Sequence, residues 1–297
     1  MSEFGEFEQT ASFDGKEFRV ESVGESYLER VGFPEIIAVD GVPAQIADEL
    51  VRSAQVCDVP HTWCVKRLSS IEEVTPEILA RGKKVLEEDR DKFGSRIFCY
   101  VGIRGDEKVF LAAGAIRDKL TQSFYNPSFP VVSRAVVSPQ FRGKGLGSLI
   151  VEHRMEATLR YFDVRPKAIH FATESPQILH SVRKFEKKHG FRFLYIGDER
   201  YSTEAGTFSV NDYLCPLPDY KESLFQELSQ FQSELPVGFA ERFECFLREG
   251  SNGVSGDALA DEINSLCVKG VTVPLLQEFF LVRKTIGARD PDTHDSV

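Results

Sequence analysis

A change in the hydrophobic pattern near the middle of the chain predicts a strand, a tight loop and a helix, in that order. The segment 131–137 is rich in β-branched residues, which favours a strand, and Pro139 ends it because proline cannot donate a ladder hydrogen bond. Gly143, Gly145 and Gly147 follow, and apolar residues then recur at helical spacing. The glycines therefore lie at the N-terminus of an amphipathic helix. Its predicted apolar face consists of Leu146, Leu149, Ile150, His153, Ala157 and Tyr161.

Similar patterns predict further elements on both sides of this segment. The other predicted strands cover 34–39, 63–68, 96–103, 108–116, 168–172, 191–196 and 208–214. The other predicted helices cover 43–55, 69–93, 176–189, 220–235, 239–248, 257–267 and 273–286.

The composition is that of an ordinary globular protein with an excess of acidic residues. The 297 residues are 42% hydrophobic and carry a formal net charge of -10. This charge argues against broad binding to nucleic acid or to an anionic membrane, and it favours a basic acceptor such as an amine. No apolar run is long enough to span a bilayer, and the acidic first residues do not resemble a signal peptide. We therefore expect a cytoplasmic protein.

The six cysteines are spread without regular spacing, and we expect them to be reduced thiols. Cys57, His61 and Cys64 form one cluster with part of the spacing of a zinc site, but a second ligand pair is lacking. The sequence therefore predicts no metal site.

The glycine loop has the chemistry of an anion site. The first turn of a helix presents unpaired N–H groups and the positive end of the helix dipole, and glycine lets an anion approach closely. A P-loop is excluded, because Gly143-Lys144 is followed by Gly145 rather than by serine or threonine. A dinucleotide fingerprint is a poor match, because Gly147 stands one place too early.

The loop resembles the acyl-coenzyme A loop of the GNAT acetyltransferase superfamily, whose pattern is Gln/Arg-x-x-Gly-x-Gly/Ala after Val-x-Pro. Here Val137-Ser138-Pro139 leads into Gln140-Phe141-Arg142-Gly143-Lys144-Gly145, and every position of the pattern is filled. The resemblance implies an α/β (α+β) fold with a mixed, twisted central sheet of about six to seven strands flanked by helices. It also implies an N-acetyltransferase that uses acetyl-CoA or another acyl-CoA as co-substrate, without a metal.

The resemblance further implies which residues hold the coenzyme. The backbone of the last strand residues would pair with the pantetheine arm like an added strand, and loop amides would hold the pyrophosphate. A side chain at position 145 is expected to occupy the space of the phosphate. The implied coenzyme-binding residues are Val136, Val137, Arg142, Gly143, Lys144, Gly145, Leu146 and Gly147.

The predicted order of elements gives three regions. Residues 60–217 follow the order of the superfamily: strand, helices, three strands, helix, strand, helix and two strands, with 63–68 as the first strand. Residues 1–59 are expected to form an N-terminal extension with a short strand and helix. Residues 218–297 are expected to form a helical region that packs on the acyltransferase domain or on a second copy of it, so a homodimer is possible.

The catalytic residues are harder to assign, because the tyrosine that usually protonates the thiolate in this superfamily is replaced by Glu186. Glu174 follows the strand 168–172, where the acceptor enters in the superfamily, and is our leading candidate for the base. His180 is a second candidate proton carrier. Ser175 is interpreted as a helix N-cap. Tyr195 and Tyr201 are weaker candidates for the acid, and His153 and His170 are interpreted as core or edge residues.

Three functions remain open from the sequence. The first is transfer of acetyl from acetyl-CoA to a primary amine of a small molecule or protein. The second is long-chain N-acyl transfer, because 129–137 resembles the Ser-Arg strand of N-acyl amino acid and acyl-homoserine-lactone synthases. The third is a non-catalytic acyl-CoA sensor, which the replaced tyrosine favours.

Overall fold

The computed structural model describes most of the chain. The described residues are 9–54, 56–59, 62–65, 75–93, 95–117, 129–160, 166–173, 176–203, 206–250 and 254–284.

Strands and α-helices alternate through the first two thirds of the chain, and helices alone follow. The strands are β1 (Gln9–Phe13), β2 (Lys16–Ser22), β3 (Glu35–Asp40), β4 (Val56–Val59), β5 (Thr62–Val65), β6 (Ser95–Arg104), β7 (Glu107–Arg117), β8 (Val131–Val137), β9 (Ala168–Thr173), β10 (Leu194–Thr203) and β11 (Gly206–Pro216). The helices are α1 (Leu28–Val31), α2 (Ala44–Ala54), α3 (Pro76–Phe93), α4 (Leu146–Arg160), α5 (Pro176–His189), α6 (Pro218–Gln230), α7 (Phe239–Glu249), α8 (Gly256–Val268) and α9 (Pro274–Lys284).

One mixed sheet organises the molecule. Its nine strands lie in the order β1-β2-β3-β6-β7-β8-β9-β11-β10. Neighbouring strands are antiparallel except for β8 and β9, which run parallel. A parallel pair needs a crossover, and α4 provides it.

The order of elements from β3 to β11 confirms the predicted GNAT fold. It runs β3, α2, α3, β6 to β8, α4, β9, α5, and the closing pair β10 and β11, with the separate hairpin of β4 and β5 inserted between α2 and α3. The sheet is larger than predicted because the hairpin of β1 and β2 adds two strands beyond β3.

The predicted position of the first strand of this fold is wrong. Glu35–Asp40 pairs with β6 and takes that place, whereas Thr62–Val65 pairs only with β4 in a separate two-stranded sheet. The residues from Ile36 to Val39 are all buried, as expected for a strand that is covered on both faces. Residues predicted as an N-terminal extension thus contribute to the central sheet.

Helices cover both faces of the sheet. Ile46, Leu50 and Val51 of α2 pack with Val39 and Ala113 on one face. On the other face Leu146, Leu149 and Ile150 of α4 pack with Phe98 and Leu111.

The last four helices pack against the β10 and β11 end of the sheet. Phe239, Phe243, Phe246 and Phe279 belong to one buried cluster that also contains Leu214 of β11. The predicted C-terminal helices therefore dock on the sheet of the same chain. Within the described part of the chain, no helix is both long and apolar enough to cross a membrane.

A buried polar network attaches the β1–β2 hairpin to α4. His153, on the predicted apolar face, contacts Tyr100 Oη through Nδ1 at 2.8 Å and Glu21 Oε1 through Nε2 at 2.5 Å. Arg160 donates to both carboxylate oxygens of Glu21 at 3.0 and 2.9 Å. Because buried polar groups are costly to leave unpaired, this network fixes β2 relative to α4.

The network predicts a large effect of Glu21→Ala on stability. The substitution leaves His153 and Arg160 without this carboxylate in a poorly hydrated place, and we expect a loss of about 2–4 kcal/mol in the free energy of unfolding. Urea denaturation of the full chain measures it. Glu17→Ala, at an exposed position of the same strand, is the matched control and should change stability by less than about 0.5 kcal/mol. Equal stability of the two variants would contradict this role of Glu21.

Candidate active site

The glycine loop begins where β8 leaves the sheet. Ser138 still donates its amide to Leu111 of β7 at 2.9 Å, and Pro139 then starts a short 3-10 turn that ends at the buried Phe141. Gly143 and Gly145 have φ values of 78° and 89°. Side chains rarely tolerate this left-handed region, which explains glycine at these two positions.

The loop leaves a row of amides available at the start of α4. Phe141 donates to Ser138 at 2.9 Å, and Ser148 donates to Gly145 at 2.9 Å. For the amides from Gly143 to Gly147, the described residues provide no hydrogen-bond acceptor. This arrangement, at the positive end of the α4 dipole, suits a phosphate group.

The amide of Arg142, another predicted coenzyme-binding residue, is already hydrogen-bonded within the protein. The Arg142 amide donates to Pro139 at 3.4 Å, a long hydrogen bond within the turn. Its exposed side chain donates from Nε to the Val137 carbonyl at 3.3 Å. The row of available amides therefore begins at Gly143 and not at Arg142.

The residues around α1 support the loop from one side. Tyr27 packs against Gly145, where an added Cβ would lie 3.1 Å from the tyrosine ring. The Lys144 ammonium donates to the Val31 carbonyl at 3.4 Å. Burial and the charge of Glu152 raise the pKa of Tyr27, so this hydroxyl stays neutral beside the helix start.

This packing corrects the expectation for position 145. A side chain there would point at Tyr27, inside the protein, and would also be strained by the positive φ. An added Cβ at Gly147 meets no atom within 4 Å, so this position faces open space beside the row of amides.

The parallel strands β8 and β9 separate next to the loop. They pair at Val131 with His170 and at Val132 with Phe171, whereas from there to Val137 the ladder partner of β8 among the described strands is β7. The register with β7 shifts between Gly114 and Ala115, which indicates a β-bulge in this strand pair. The separation leaves a cleft along one edge of β8.

Alternation along β8 decides which backbone groups face the cleft. The amide of Ser138 points to β7, so the peptide groups of Val137 point to the opposite edge and those of Val136 point back to β7. The Val137 amide is therefore available for the predicted pairing with a pantetheine arm, whereas the Val137 carbonyl already accepts the hydrogen bond from Arg142 Nε at 3.3 Å. Val136 does not present its backbone to the cleft, although its side chain contributes to the core.

The structure separates the predicted catalytic candidates. Glu174 and Ser175 lie outside the described residues, directly after β9. His180 is exposed on α5. Glu186 accepts from the Phe193 amide at 2.6 Å and from Arg183 at 2.8 Å, so it holds the end of α5 to the start of β10.

Tyr195 and Tyr201 remain predictions as candidates for the acid. The Tyr195 ring lies 5.6 Å from the ring of Tyr213, in an aromatic pair on β10 and β11. The side chain of Tyr201 lies outside the described residues, as do those of Cys57, His61 and Cys64.

A buried acid–base pair that the sequence did not reveal lies where β8 and β9 separate. His170 Nε2 and Asp212 Oδ1 are 2.9 Å apart, and the two side chains are only 1% and 2% exposed. The second oxygen of Asp212 is buried and has no hydrogen-bond partner among the described residues. His170 was expected in the core, but no spacing in the sequence connects it with Asp212.

Comparison with known proteins adds resemblances to acetyltransferases. No family model matches the sequence, and no curated protein matches it. The chain is similar to a solved ribosomal-protein-S5-alanine acetyltransferase from Vibrio fischeri, with 14% identity and a TM-score of 0.40 over 71% of this chain and 98% of that chain. It is also similar to RimL, a ribosomal L7/L12 α-N-protein acetyltransferase in complex with coenzyme A, with 14% identity and a TM-score of 0.39 over 66% and 98%.

A third similar structure is a chimera of the spermidine N-acetyltransferase SpeG from Vibrio cholerae and hSSAT. It has 11% identity and a TM-score of 0.34, over 46% of this chain and 73% of that chain. All three TM-scores are below 0.5. The strand order, the two-pair parallel contact and the glycine loop of this chain are those of a GNAT fold.

Substitution of Gly147 tests the loop as an anion site. The helix dipole stabilises a negative side chain in the first turn, and a side chain at position 147 meets open space. Gly147→Glu should therefore fold normally. Its carboxylate would repel a diphosphate at the same amides. We expect coenzyme A to bind about tenfold or more weakly, ~1.4 kcal/mol, in calorimetric titrations. Gly147→Ala should weaken binding less than about threefold, a change of well under 1.4 kcal/mol.

The matched control for the added charge is Ala44→Glu. It places a carboxylate in the first turn of α2, which packs on the opposite face of the sheet. This variant should bind coenzyme A like the unmodified protein. Equal affinity of Gly147→Glu and Ala44→Glu would contradict the assignment of the loop.

Proposed function

We propose that this protein is an acyl-CoA-dependent N-acyltransferase that transfers acetyl from acetyl-CoA to a primary amine of a small molecule or a protein. The observation that carries the proposal is the continuity of two open backbone surfaces. The first is the amide of Val137, on the edge of β8 that points away from β7, and the second is the row of amides from Gly143 to Gly147 that follows it along the chain. The Val137 carbonyl on the same edge accepts from Arg142 Nε, so the amide carries the first surface. A pantetheine arm fits the first surface as an added strand, and a diphosphate fits the second.

The reaction needs a proton acceptor and a proton donor. The amine nitrogen attacks the thioester carbonyl, the C–N bond forms, and the C–S bond breaks. One proton leaves the nitrogen, and the coenzyme thiolate takes up one proton. We assign the first task to Glu174, because it directly follows β9 in the sequence, where the acceptor enters in the superfamily that the chain resembles. The buried pair of His170 and Asp212 is the alternative proton acceptor, and the exposed His180 is a weaker candidate.

The charge of the chain supports an amine acceptor. A net charge of -10 favours the approach of a cationic amine and disfavours an acidic acyl carrier protein. This supports acetyl-CoA over a carrier-bound long acyl chain as the donor.

One observation favours the second candidate, a non-catalytic acyl-CoA sensor. Glu186 stands at the position of the usual tyrosine and accepts hydrogen bonds from the Phe193 amide and the Arg183 guanidinium, so its carboxylate is engaged at the end of α5. A sensor would bind the thioester without consuming it.

Release of free thiol from acetyl-CoA, measured with a panel of small amines and a lysine-containing peptide, tests the proposal. Release that depends on an amine supports acyl transfer. Tight binding of acetyl-CoA without release on any amine supports the sensor. Faster release from a long-chain acyl-CoA than from acetyl-CoA supports the long-chain reaction.

The assignment of the base predicts a specific loss of rate in Glu174→Gln. Loss of a general base lowers kcat by about 100-fold or more, whereas the affinity for coenzyme A should not change. The thiol assay and a coenzyme A titration measure the two quantities. Glu222→Gln, at an exposed position of α6, is the matched control and should keep full activity. Full activity of Glu174→Gln together with an inactive His170→Gln would assign the base to the buried pair instead.

A further inference from the structure

A cationic groove lies between the acyltransferase sheet and the C-terminal helices. Its walls come from the end of α5, the start of β10, the start of α6 and the end of α7, and its volume is about 630 Å³. The charged residues that line it are Arg183, Lys187, Arg192, Lys221, Arg248 and one acid, Glu186. We call it the α5–α6 groove.

The concentration of positive charge in this groove is unusual for an acidic chain. Five of the six charged lining residues are cations, although the whole protein carries a net charge of -10. Arg183 forms an ion pair with Glu186 at 2.8 Å, and Arg248 forms one with Glu244 at 3.3 Å near the surface. Lys187 and Arg192 are exposed, and neither forms an ion pair with another described residue. Among the described residues, the positive charge of Lys187 and Arg192 is therefore not balanced by an ion pair.

Lys221 is a partly buried cation in the wall of the groove. Its ammonium donates to the Leu247 carbonyl at 3.1 Å, which fixes its position. Burial lowers the pKa of Lys221, and the nearby charges of Arg248 and Arg192 lower it further. Three cations on different elements thus repel one another across the groove, and a bound anion would relieve this repulsion.

The groove is separate from the candidate active site. The Ser181 hydroxyl of α5 lies 2.6 Å from the Ser148 hydroxyl at the start of α4, in a hydrogen bond. The glycine loop therefore lies beside the turn of α5 that contains Ser181. On α5 the groove is lined by residues from Arg183 to Gly190, which lie two to nine positions after Ser181, about 3 to 13 Å further along the helix at its rise per residue. Pro216, which lines the groove, pairs with Ala168 at the start of β9, whereas the cleft opens beyond the other end of that strand.

We propose that the α5–α6 groove is a second ligand site, which binds a small phosphorylated anion with two or more negative charges. Arginine guanidinium groups match phosphate oxygens with paired N–H donors, and Lys221 adds a positioned point charge. The ligand would bridge α5 and β10 of the sheet to α6 and α7 of the C-terminal helices. This site is independent of the proposed acyl transfer.

Calorimetric titration with inorganic pyrophosphate tests the proposal. The titrations use the full chain carrying Gly147→Glu, which removes the glycine loop as a competing anion site. Adding Arg192→Ala and Lys221→Met should weaken pyrophosphate binding at least about tenfold and leave coenzyme A binding to the chain without Gly147→Glu unchanged. Adding only Arg192→Ala, an exposed position that should not affect folding, should weaken it about threefold or more.

Arg19→Ala, at an exposed position of β2, is the matched control, because it removes one positive charge outside the groove. It should bind pyrophosphate with unchanged affinity. Three results would overturn the proposal: no measurable pyrophosphate binding, equal affinity in the groove variants and the control, or loss of coenzyme A binding in the groove variants. The last result would make the groove part of the coenzyme site.

Discussion

The separation of β8 from β9 is the constraint on which the candidate site depends. A parallel ladder that continued to Val137 would satisfy that edge of the strand within the protein. Because the ladder with β9 stops after Phe171, the amide of Val137 points into a cleft, while the other edge of β8 stays paired with β7. The carbonyl of Val137 accepts from Arg142 Nε. Unsatisfied backbone groups in a fixed direction are what an extended ligand needs in order to bind as an additional strand.

The loop that follows depends on the N-terminal part of the chain. Tyr27 limits the space beside Gly145, and Val31 accepts a hydrogen bond from Lys144. The hairpin of β1 and β2 is joined to α4 through Glu21 and His153. The segments before β3 therefore do more than extend the sheet, because they fix the helix whose first amides form the candidate anion site.

Local chemistry explains which features the sequence could predict. The glycine loop and α4 depend on backbone geometry and helical spacing within about twenty residues, and both were predicted with the correct N-terminus. The first strand was misplaced because Thr62–Val65 and Glu35–Asp40 are both strand-like, and only pairing with β6 decides between them. The pair of His170 and Asp212 and the α5–α6 groove join residues far apart in the chain, so no local spacing could reveal them.

The most direct measurement is the change in backbone amide chemical shifts when coenzyme A is added to isotopically labelled protein. If the loop amides hold the diphosphate, the largest shifts will occur from Gly143 to Gly147, with a further change at Val137 where the arm would pair. If coenzyme A saturates the protein while these amides keep their shifts, or if the changes occur around Gly190 and Arg192 instead, the central claim is contradicted.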